Sequence, residues 1–455
     1  MWEAKNLRVV VCGAGLTGQA ICRALRRRGA EVIATDSRPA ESLPGAAQAL
    51  AQLGVELRAG GHDPEVLAWA ELVVLSPGVP PKLPVFDLVR RKGVLLWSEL
   101  ELAFHLTSTR LIAITGTKGK TTTAVLVGRM LEAPVANAAA YGPVGTPLTA
   151  LIDEAEADTL VVEVTSYQLE GVQEFHPAVA ALLNVTQDHT ARHSTREEYL
   201  AVKARIFARQ TPDEVAVFLA DDPEVRQIGE TCSARKIPFS LRQPLRGGVW
   251  AGEDGIWEAT HGRERQVVAW SELTPALRRQ RPTAIAAVAV GLAAGLPVEV
   301  IQRELRAFPG LPHRLEHLGE WRGIGFINDS AATNPAATQH ALENVAAPVV
   351  LIAGGDAKGN DLSVLREAFR RLRGLVTIGQ SGPELAALGK AAGVSRIAEV
   401  ESLEAAVEQA VTWAQPGDTV LLSPACASYD MFADFAQRGE VFRRAIAKLR
   451  GTDHV

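Results

Sequence analysis

Leu111-Ile112-Ala113-Ile114-Thr115-Gly116-Thr117-Lys118-Gly119-Lys120-Thr121-Thr122 decides the reading of this chain. An apolar run enters a glycine loop, and a helix starts near Thr121. Backbone N–H groups of such a loop hold polyphosphate oxygens at a helix amino end. Lys120 is placed to neutralise β- and γ-phosphates, and the Thr121 hydroxyl to bind magnesium. The pattern departs from GxxxxGK[ST], because Ile114 stands where the first glycine belongs. A bland strand-to-helix turn is the competing reading, and Gly-Lys-Thr in this context argues against it.

Working outward, Leu7–Cys12 is an apolar strand followed by Gly13-Ala14-Gly15-Leu16-Thr17-Gly18, a match to GxGxxG. Asp36 ends the next strand, where an acid would meet a ribose hydroxyl. Alone, this turn suggests an NAD-dependent oxidoreductase, although any nucleotide diphosphate suits the same geometry. Strands at Thr159–Val164 and Val179–Asn184 predict a parallel sheet around the second loop. Glu163 ends the first of these, and Asn184 to His189 follow the second. Both positions lie outside strand carboxyl ends, where α/β sites form. Each side chain alone reads as a hydrogen-bonded structural group; beside a phosphate loop they point to magnesium. Lys203, in the helical pattern Glu197–Ala208 between Val202 and Ile206, reads from composition as a snorkelling surface lysine.

Residues 210–270 read as short β elements with glycine turns, followed by an alanine-rich helix over Thr283–Ala294. Phe308-Pro309-Gly310-Leu311-Pro312 is a natural hinge. Beyond it, strands ending at Gly354-Gly355, Gly379 and Ser423-Pro424 restart the alternation. At 455 residues the chain exceeds one compact core. A formal charge of -5 argues against a nucleic-acid partner. Runs such as Arg26-Arg27-Arg28 read as solvated helix ends. No spanning apolar run and no signal-peptide pattern occur, which predicts a cytoplasmic protein without a membrane partner. Cys12, Cys22, Cys232 and Cys426 are scattered, and read as reduced buried thiols.

Glu163-Val164-Thr165-Ser166-Tyr167-Gln168-Leu169-Glu170, Asn184-Val185-Thr186-Gln187-Asp188-His189 and Leu311-Pro312-His313-Arg314-Leu315-Glu316 carry a resemblance across nearly the whole chain. Asn328-Asp329-Ser330, Gly354-Gly355-Asp356-Ala357-Lys358 and Leu422-Ser423-Pro424-Ala425-Cys426-Ala427-Ser428 sharpen it. With Thr115–Thr122, which is similar to a TGTxGKT variant, they resemble the Mur ligase family, and within it the D-glutamate-adding branch. The resemblance implies an α/β fold of three domains. Residues 1–98 would be a Rossmann-like domain for the UDP-substrate, 99–310 a central P-loop-type ATPase sheet, and 311–455 a Rossmann-like amino-acid domain.

It also implies a reaction: ATP-dependent addition of D-glutamate to UDP-N-acetylmuramoyl-L-alanine through an acyl phosphate. That is a step of cytoplasmic peptidoglycan precursor synthesis by a monomeric enzyme. Carried over by residue, Gly116, Thr117, Lys118, Gly119, Lys120, Thr121 and Thr122 hold ATP, completed by Arg314 and Asp329. Thr121, Glu163 and His189 serve magnesium, and Lys203 matches a lysine that carbon dioxide carbamylates into a further metal ligand. Thr333, Lys358, Ser428 and Phe435 match positions gripping D-glutamate. Leu16, Thr17, Asp36 and Ser37 match positions near the uracil nucleotide, which reassigns the first glycine turn from NAD to a UDP diphosphate. With ATP groups and amino-acid groups on different domains, closure about 308–312 is expected.

Four departures stand out. Ala331 replaces the lysine of NDSKATN, which removes a positive charge from the amino-acid site. Pro143 replaces the asparagine of GNIG, Arg279-Gln280…Thr283 replaces His-Asn…Asn, and Thr190-Ala191-Arg192 follows His189. Ala331 and Pro143 leave open a sister ligase of different amino-acid specificity. A P-loop switch that hydrolyses nucleotide without an acceptor is the other rival.

Overall fold

The computed structural model describes residues 2–132, 139–140, 146–154, 157–186, 192–193, 195–260, 262–345 and 348–451. The chain forms two compact units, Met1–Phe308 and Pro309–Val455, parted within the Phe308–Pro312 stretch. The first unit carries two sheets and the second carries one.

Strands β1 (Arg8–Cys12), β2 (Glu31–Asp36), β3 (Glu56–Ala59), β4 (Leu72–Leu75) and β5 (Leu95–Ser98) make an all-parallel sheet in the order β3-β2-β1-β4-β5. The central strands are apolar throughout because helices cover both faces. The strands stay parallel, but the order in which they are added reverses between β1 and β4, so the Gly13 turn sits at the crevice that such a switch opens.

The second sheet contains β6 (Arg110–Thr115), β7 (Ala139–Ala140), β8 (Thr159–Glu163), β9 (Val179–Leu182), β10 (Val215–Leu219), β11 (Arg235–Ser240), β12 (Val249–Ala251), β13 (Gly255–Glu258) and β14 (Arg265–Ala269). Its order is β14-β13-β12-β11-β10-β9-β6-β8-β7, with β13 and β14 antiparallel at one end. Strand β6 lies between β8 and β9, with Ile114 opposite Glu163 and Thr115 opposite Leu182. That register delivers the ends of all three strands to one place.

The helix Glu99–Leu106 belongs to both sheets. Leu102 and Leu106 pack in the core of the first sheet, whereas Leu100 and Ala103 pack in the core of the second. Between them Glu101, fully buried, accepts the N–H groups of Gln173 (2.9 Å), Glu174 (2.7 Å) and Phe175 (3.1 Å), while His105 Nε2 lies 3.2 Å away. Burial alone would raise this carboxyl, but the bonds from His105 and the backbone amides outweigh it and hold the group below its ordinary value.

In the second unit, β15 (Glu316–Trp321), β16 (Ile324–Asn328), β17 (Val349–Gly354), β18 (Leu372–Ile378), β19 (Ile397–Glu399) and β20 (Thr419–Leu422) run in the order β15-β16-β20-β17-β18-β19. Only β15 is antiparallel to its neighbour. The long helix Phe435–Gly451 packs its Phe442 and Ile446 into the same core as β16 and β20.

All four cysteines are free thiols, and Cys12, Cys22 and Cys426 are buried. Burial pushes Cys12 and Cys22 up to about 12, so they are inert apolar side chains. No helix among the described residues is long and apolar enough to cross a membrane.

Candidate active site

The loop after β6 has the shape its glycines require. Gly119 adopts φ +85, a left-handed conformation that glycine alone takes without cost, and it caps the helix Lys120–Leu131. A Cβ on Gly116 would stand 3.0 Å from Leu183 Cβ. Asn184, just past β9, fixes the loop: its Oδ1 accepts Thr117 N–H (3.1 Å) and Lys118 N–H (2.8 Å), and its Nδ2 donates to Lys118 O (3.0 Å). Thr117 Oγ1 donates to Thr186 O (3.2 Å) and accepts Thr186 N–H (3.0 Å).

Three of the expected side chains meet at the ends of β6 and β8. Thr121 Oγ1 donates to Glu163 Oε2 at 2.6 Å, and Lys120 Nζ lies 3.9 Å from Glu163 Oε1. Lys120 Nζ also donates to Thr117 O at 3.0 Å, folding back over the loop. Thr122 is buried one residue further along the helix.

Lys203 corrects the composition-based expectation. It is 1% exposed, not a surface lysine, because the helix Arg196–Ala204 lays it across the loop. Its Nζ donates to Gly116 O (3.0 Å) and Thr115 Oγ1 (3.3 Å) and sits 4.7 Å from the Tyr199 ring centroid. His189 lies outside the described residues, as does Pro143. Among the described residues no three His, Cys, Asp or Glu side chains could hold a metal ion; the donors present are Glu163 with the Thr121 hydroxyl. Such oxygen donors suit a hard cation such as magnesium. Thr283, one of the departures, stands beside this loop, its Oγ1 3.4 Å from where a Gly119 Cβ would be.

The first glycine turn is built equally closely. A Cβ on Gly18 would fall 1.7 Å from Gly13 O, whereas one on Gly15 would meet nothing within 4 Å. Gly18 therefore permits the helix to pack on the strand, and Gly15 leaves room for a phosphate. Leu16 is 80% exposed at this open end, with Thr17 half-buried and Ser37 exposed nearby in sequence register. Asp36 is fully engaged within the chain. Its Oδ2 accepts Ala14 N–H (2.8 Å) and Arg38 Nη2 (3.0 Å), and its Oδ1 accepts Arg38 N–H (3.0 Å) and Nε (3.0 Å). The Arg38 guanidinium holds this carboxyl well below the usual range. A ribose diol would have to displace an arginine from it, which argues against NAD. Sequence reasoning missed Arg38; its position two residues past an acidic strand end was the available signal.

In the second unit, Asp329 follows β16 and is buried. Its Oδ2 accepts Ser423 Oγ (2.8 Å) and its Oδ1 accepts Leu315 N–H (3.1 Å). Burial pushes its carboxyl up to about 7, with the hydrogen bonds from Ser423 and Leu315 and the charge of Arg314 drawing it partly back. Arg314 is half-buried between His313 and Leu315, which take φ +62 and +44, sparsely populated for such residues. Lys358 also takes a left-handed φ of +49; its N–H meets Asp356 Oδ1 at 2.8 Å and its Nζ lies 4.3 Å from the Tyr429 ring centroid. Thr333 follows β16, Ser428 is buried after β20, and Phe435 begins the last helix, its carbonyl accepting Ser330 Oγ at 2.7 Å. All four amino-acid-site candidates thus stand at the carboxyl ends of β16, β17 and β20 or at the helix that follows.

Comparison with known proteins bears on the family and the fold. Models described as the Mur ligase MurD-like N-terminal domain, the Mur ligase middle domain and the Mur ligase glutamate ligase domain match residues 7–97, 114–271 and 313–426. The chain is 38% identical over 452 residues to UDP-N-acetylmuramoylalanine--D-glutamate ligase of Alkaliphilus metalliredigens, covering 98% of itself and 99% of that protein. It is 39% identical over 445 residues to the enzyme of that name from Pelotomaculum thermopropionicum, covering 97% and 98%. Among solved structures, UDP-N-acetylmuramate-alanine ligase of Thermotoga maritima shares the fold, with a TM-score of 0.58 at 17% identity over 98% of this chain and 100% of that one.

Proposed function

The chain belongs to the Mur ligase family, and from that premise we propose that it joins D-glutamate to UDP-N-acetylmuramoyl-L-alanine at the expense of ATP. One observation carries the chemistry: Lys120, Thr121 and Glu163 converge at the ends of β6 and β8, with Lys203 Nζ 3.0 Å from Gly116 O.

A carboxylate is a poor electrophile, and an amine does not displace oxide from it. Transfer of the γ-phosphoryl group to the substrate carboxylate makes an acyl phosphate, whose leaving group is phosphate. The D-glutamate amine then attacks the carbonyl carbon, the C–N bond forms, phosphate departs and the nitrogen loses a proton. Phosphoryl transfer depends on positioning and charge neutralisation more than on covalent help from protein. Lys120 supplies a cation that is held over the loop in advance, and Asn184 keeps the loop amides fixed while the phosphates arrive. Bound magnesium would neutralise phosphate oxygens, held by Thr121 and Glu163, with His189 assigned from the resemblance. Once Lys203 Nζ has given up a proton, the neutral amine could add to the carbon of carbon dioxide and lose a second proton, which would leave an anionic carbamate oxygen donor at the loop carbonyl of Gly116. In the first sheet, the space left at Gly15 suits a diphosphate, with Arg38 presented by Asp36. In the second unit, Thr333, Lys358, Ser428 and Phe435 are assigned to the amino acid. A cytoplasmic place in peptidoglycan precursor synthesis follows from these substrates.

The test is phosphate release from ATP with UDP-N-acetylmuramoyl-L-alanine across a panel of D- and L-amino acids. Release that requires both partners and selects D-glutamate is expected. Selection of another amino acid would make this a sister ligase, and hydrolysis without any acceptor would overturn the reading.

A further inference from the structure

Among the described residues Arg438 is the largest side chain with no exposure to solvent, and none of the ion pairs found there involves it. Its donors go to loop atoms instead. Nε meets Ser330 Oγ at 3.0 Å, Nη2 meets Ser330 O at 2.9 Å, and Nη1 meets Cys426 O at 3.1 Å and Gly354 O at 3.5 Å. Those acceptors lie at the carboxyl ends of three adjacent strands, β16, β20 and β17. Asp430 acts on the guanidinium only through space, and its Oδ2 is engaged by Gln380 N–H at 2.9 Å.

Each segment held this way leads directly to one amino-acid-site candidate. Ser330 precedes Thr333, Gly354 precedes Lys358, Cys426 precedes Ser428, and Phe435 lies one helical turn before Arg438 itself. Burying an arginine without a hydrogen-bonded carboxylate is costly. Carbonyl and hydroxyl oxygens satisfy its donors, and the Asp430 carboxylate, whose Oδ1 is buried without a hydrogen-bond partner, offsets its charge only through space. At a site for an acidic amino acid, that charge is an asset. Here it also stands in a site where Ala331 supplies no cation.

We propose that Arg438 is the positioning residue of the acceptor site: it sets the spacing of the three loops and lends them fixed positive charge, which selects an acidic amine substrate. The proposal rests on the reading of the second unit as the amino-acid site. Its prediction is selective. Charge-assisted hydrogen bonds of this kind are strong, so Arg438→Lys should raise the KM for D-glutamate about tenfold, and Arg438→Gln more.

The experiment uses the full chain and compares wild type with both variants. It measures KM and kcat for D-glutamate, KM for ATP, and hydroxamate formation with hydroxylamine, a small neutral amine. Thermal unfolding is followed in parallel. The expected result is a raised KM for D-glutamate with ATP and hydroxylamine kinetics within about twofold of wild type, and partial recovery by lysine relative to glutamine. Equal changes toward both amines, or no change toward either, overturn the proposal. Should both variants unfold, Ser330→Ala, which removes one acceptor and keeps the arginine, is measured in the same way; unchanged D-glutamate kinetics there also overturn it. Failure of the underlying functional reading is seen separately, as wild-type protein that forms no D-glutamate product.

Discussion

Replacing Lys203 with alanine separates folding from chemistry at the loop after β6. The side chain is 1% exposed, and its Nζ serves Gly116 O at 3.0 Å and Thr115 Oγ1 at 3.3 Å. Thr115 Oγ1 keeps its own bond to Val164 O at 2.7 Å, so the variant leaves chiefly the Gly116 carbonyl short of a donor. An unsatisfied buried carbonyl costs about 1–3 kcal/mol, and removing a buried charge offsets part of it. The net loss of stability should therefore be on the order of 1–2 kcal/mol, which leaves a folded enzyme. Loss of a preorganised charged group beside the transferring phosphate costs more, about 3–4 kcal/mol of transition-state stabilisation or ~10²–10³-fold in rate, so turnover should become negligible. The assay is D-glutamate-dependent phosphate release at saturating substrates, with unfolding followed in parallel. Millimolar-scale bicarbonate should have no rescuing effect, because the variant has no amine to carbamylate. Lys203→Arg keeps a cation but cannot form the carbamate, and should be as inactive as alanine. Full activity in the alanine variant would remove Lys203 from the mechanism, and activity restored by arginine would show that a cation, not a carbamate, is needed.

Hydroxylamine in place of the amino acid should yield a hydroxamate of the UDP-substrate; ATP hydrolysis without hydroxamate would count against an acyl phosphate. Gly18→Ala places a Cβ 1.7 Å from Gly13 O, so the turn must shift. Overpacking of this kind costs about 1–3 kcal/mol, and affinity for the uridine nucleotide should fall while KM for ATP holds; unchanged nucleotide affinity would refute the assignment of this turn. Asp329, raised by burial from the ordinary carboxyl value of 3.8 to about 7, is protonated between those values in the folded state where the unfolded chain is ionised. Its contribution is therefore full below pH ~4 and is lost as pH rises toward 7, by up to about 4 kcal/mol. Asp329→Asn should flatten that part of the stability-versus-pH curve, and an identical slope in variant and wild type would contradict the burial argument.

The parts of the fold with strong local signals were legible in sequence. The two glycine loops, their strands and the prolines after Phe308 carry conformational requirements that few other structures meet. Strand limits moved by a few residues, as at β9, which ends at Leu182 and leaves Asn184 free to grip the loop. Burial of polar residues was not legible. The spacing around Lys203 fits a solvated helix face, and only the crossing of that helix over the loop buries it. Arg438 sits in Gln437-Arg438-Gly439-Glu440, which reads as a surface stretch; its concealment depends on three strand ends meeting above it. Arg38 was hidden for a related reason, since nothing in a sequence shows that Asp36 turns inward to Ala14.

The helix Glu99–Leu106 has a bearing on how this protein could be recombined. It gives Leu102 and Leu106 to one core, and Leu100 and Ala103 to the other. A crossover made before Glu99 would strip the nucleotide-side module of two of its own apolar anchors. A crossover made after Leu106 would instead take Glu101 away from the amides of residues 173–175. Chimeras between relatives should therefore tolerate neither junction unless both partners share this helix, and the linker in the engineer's sense lies elsewhere, after Phe308.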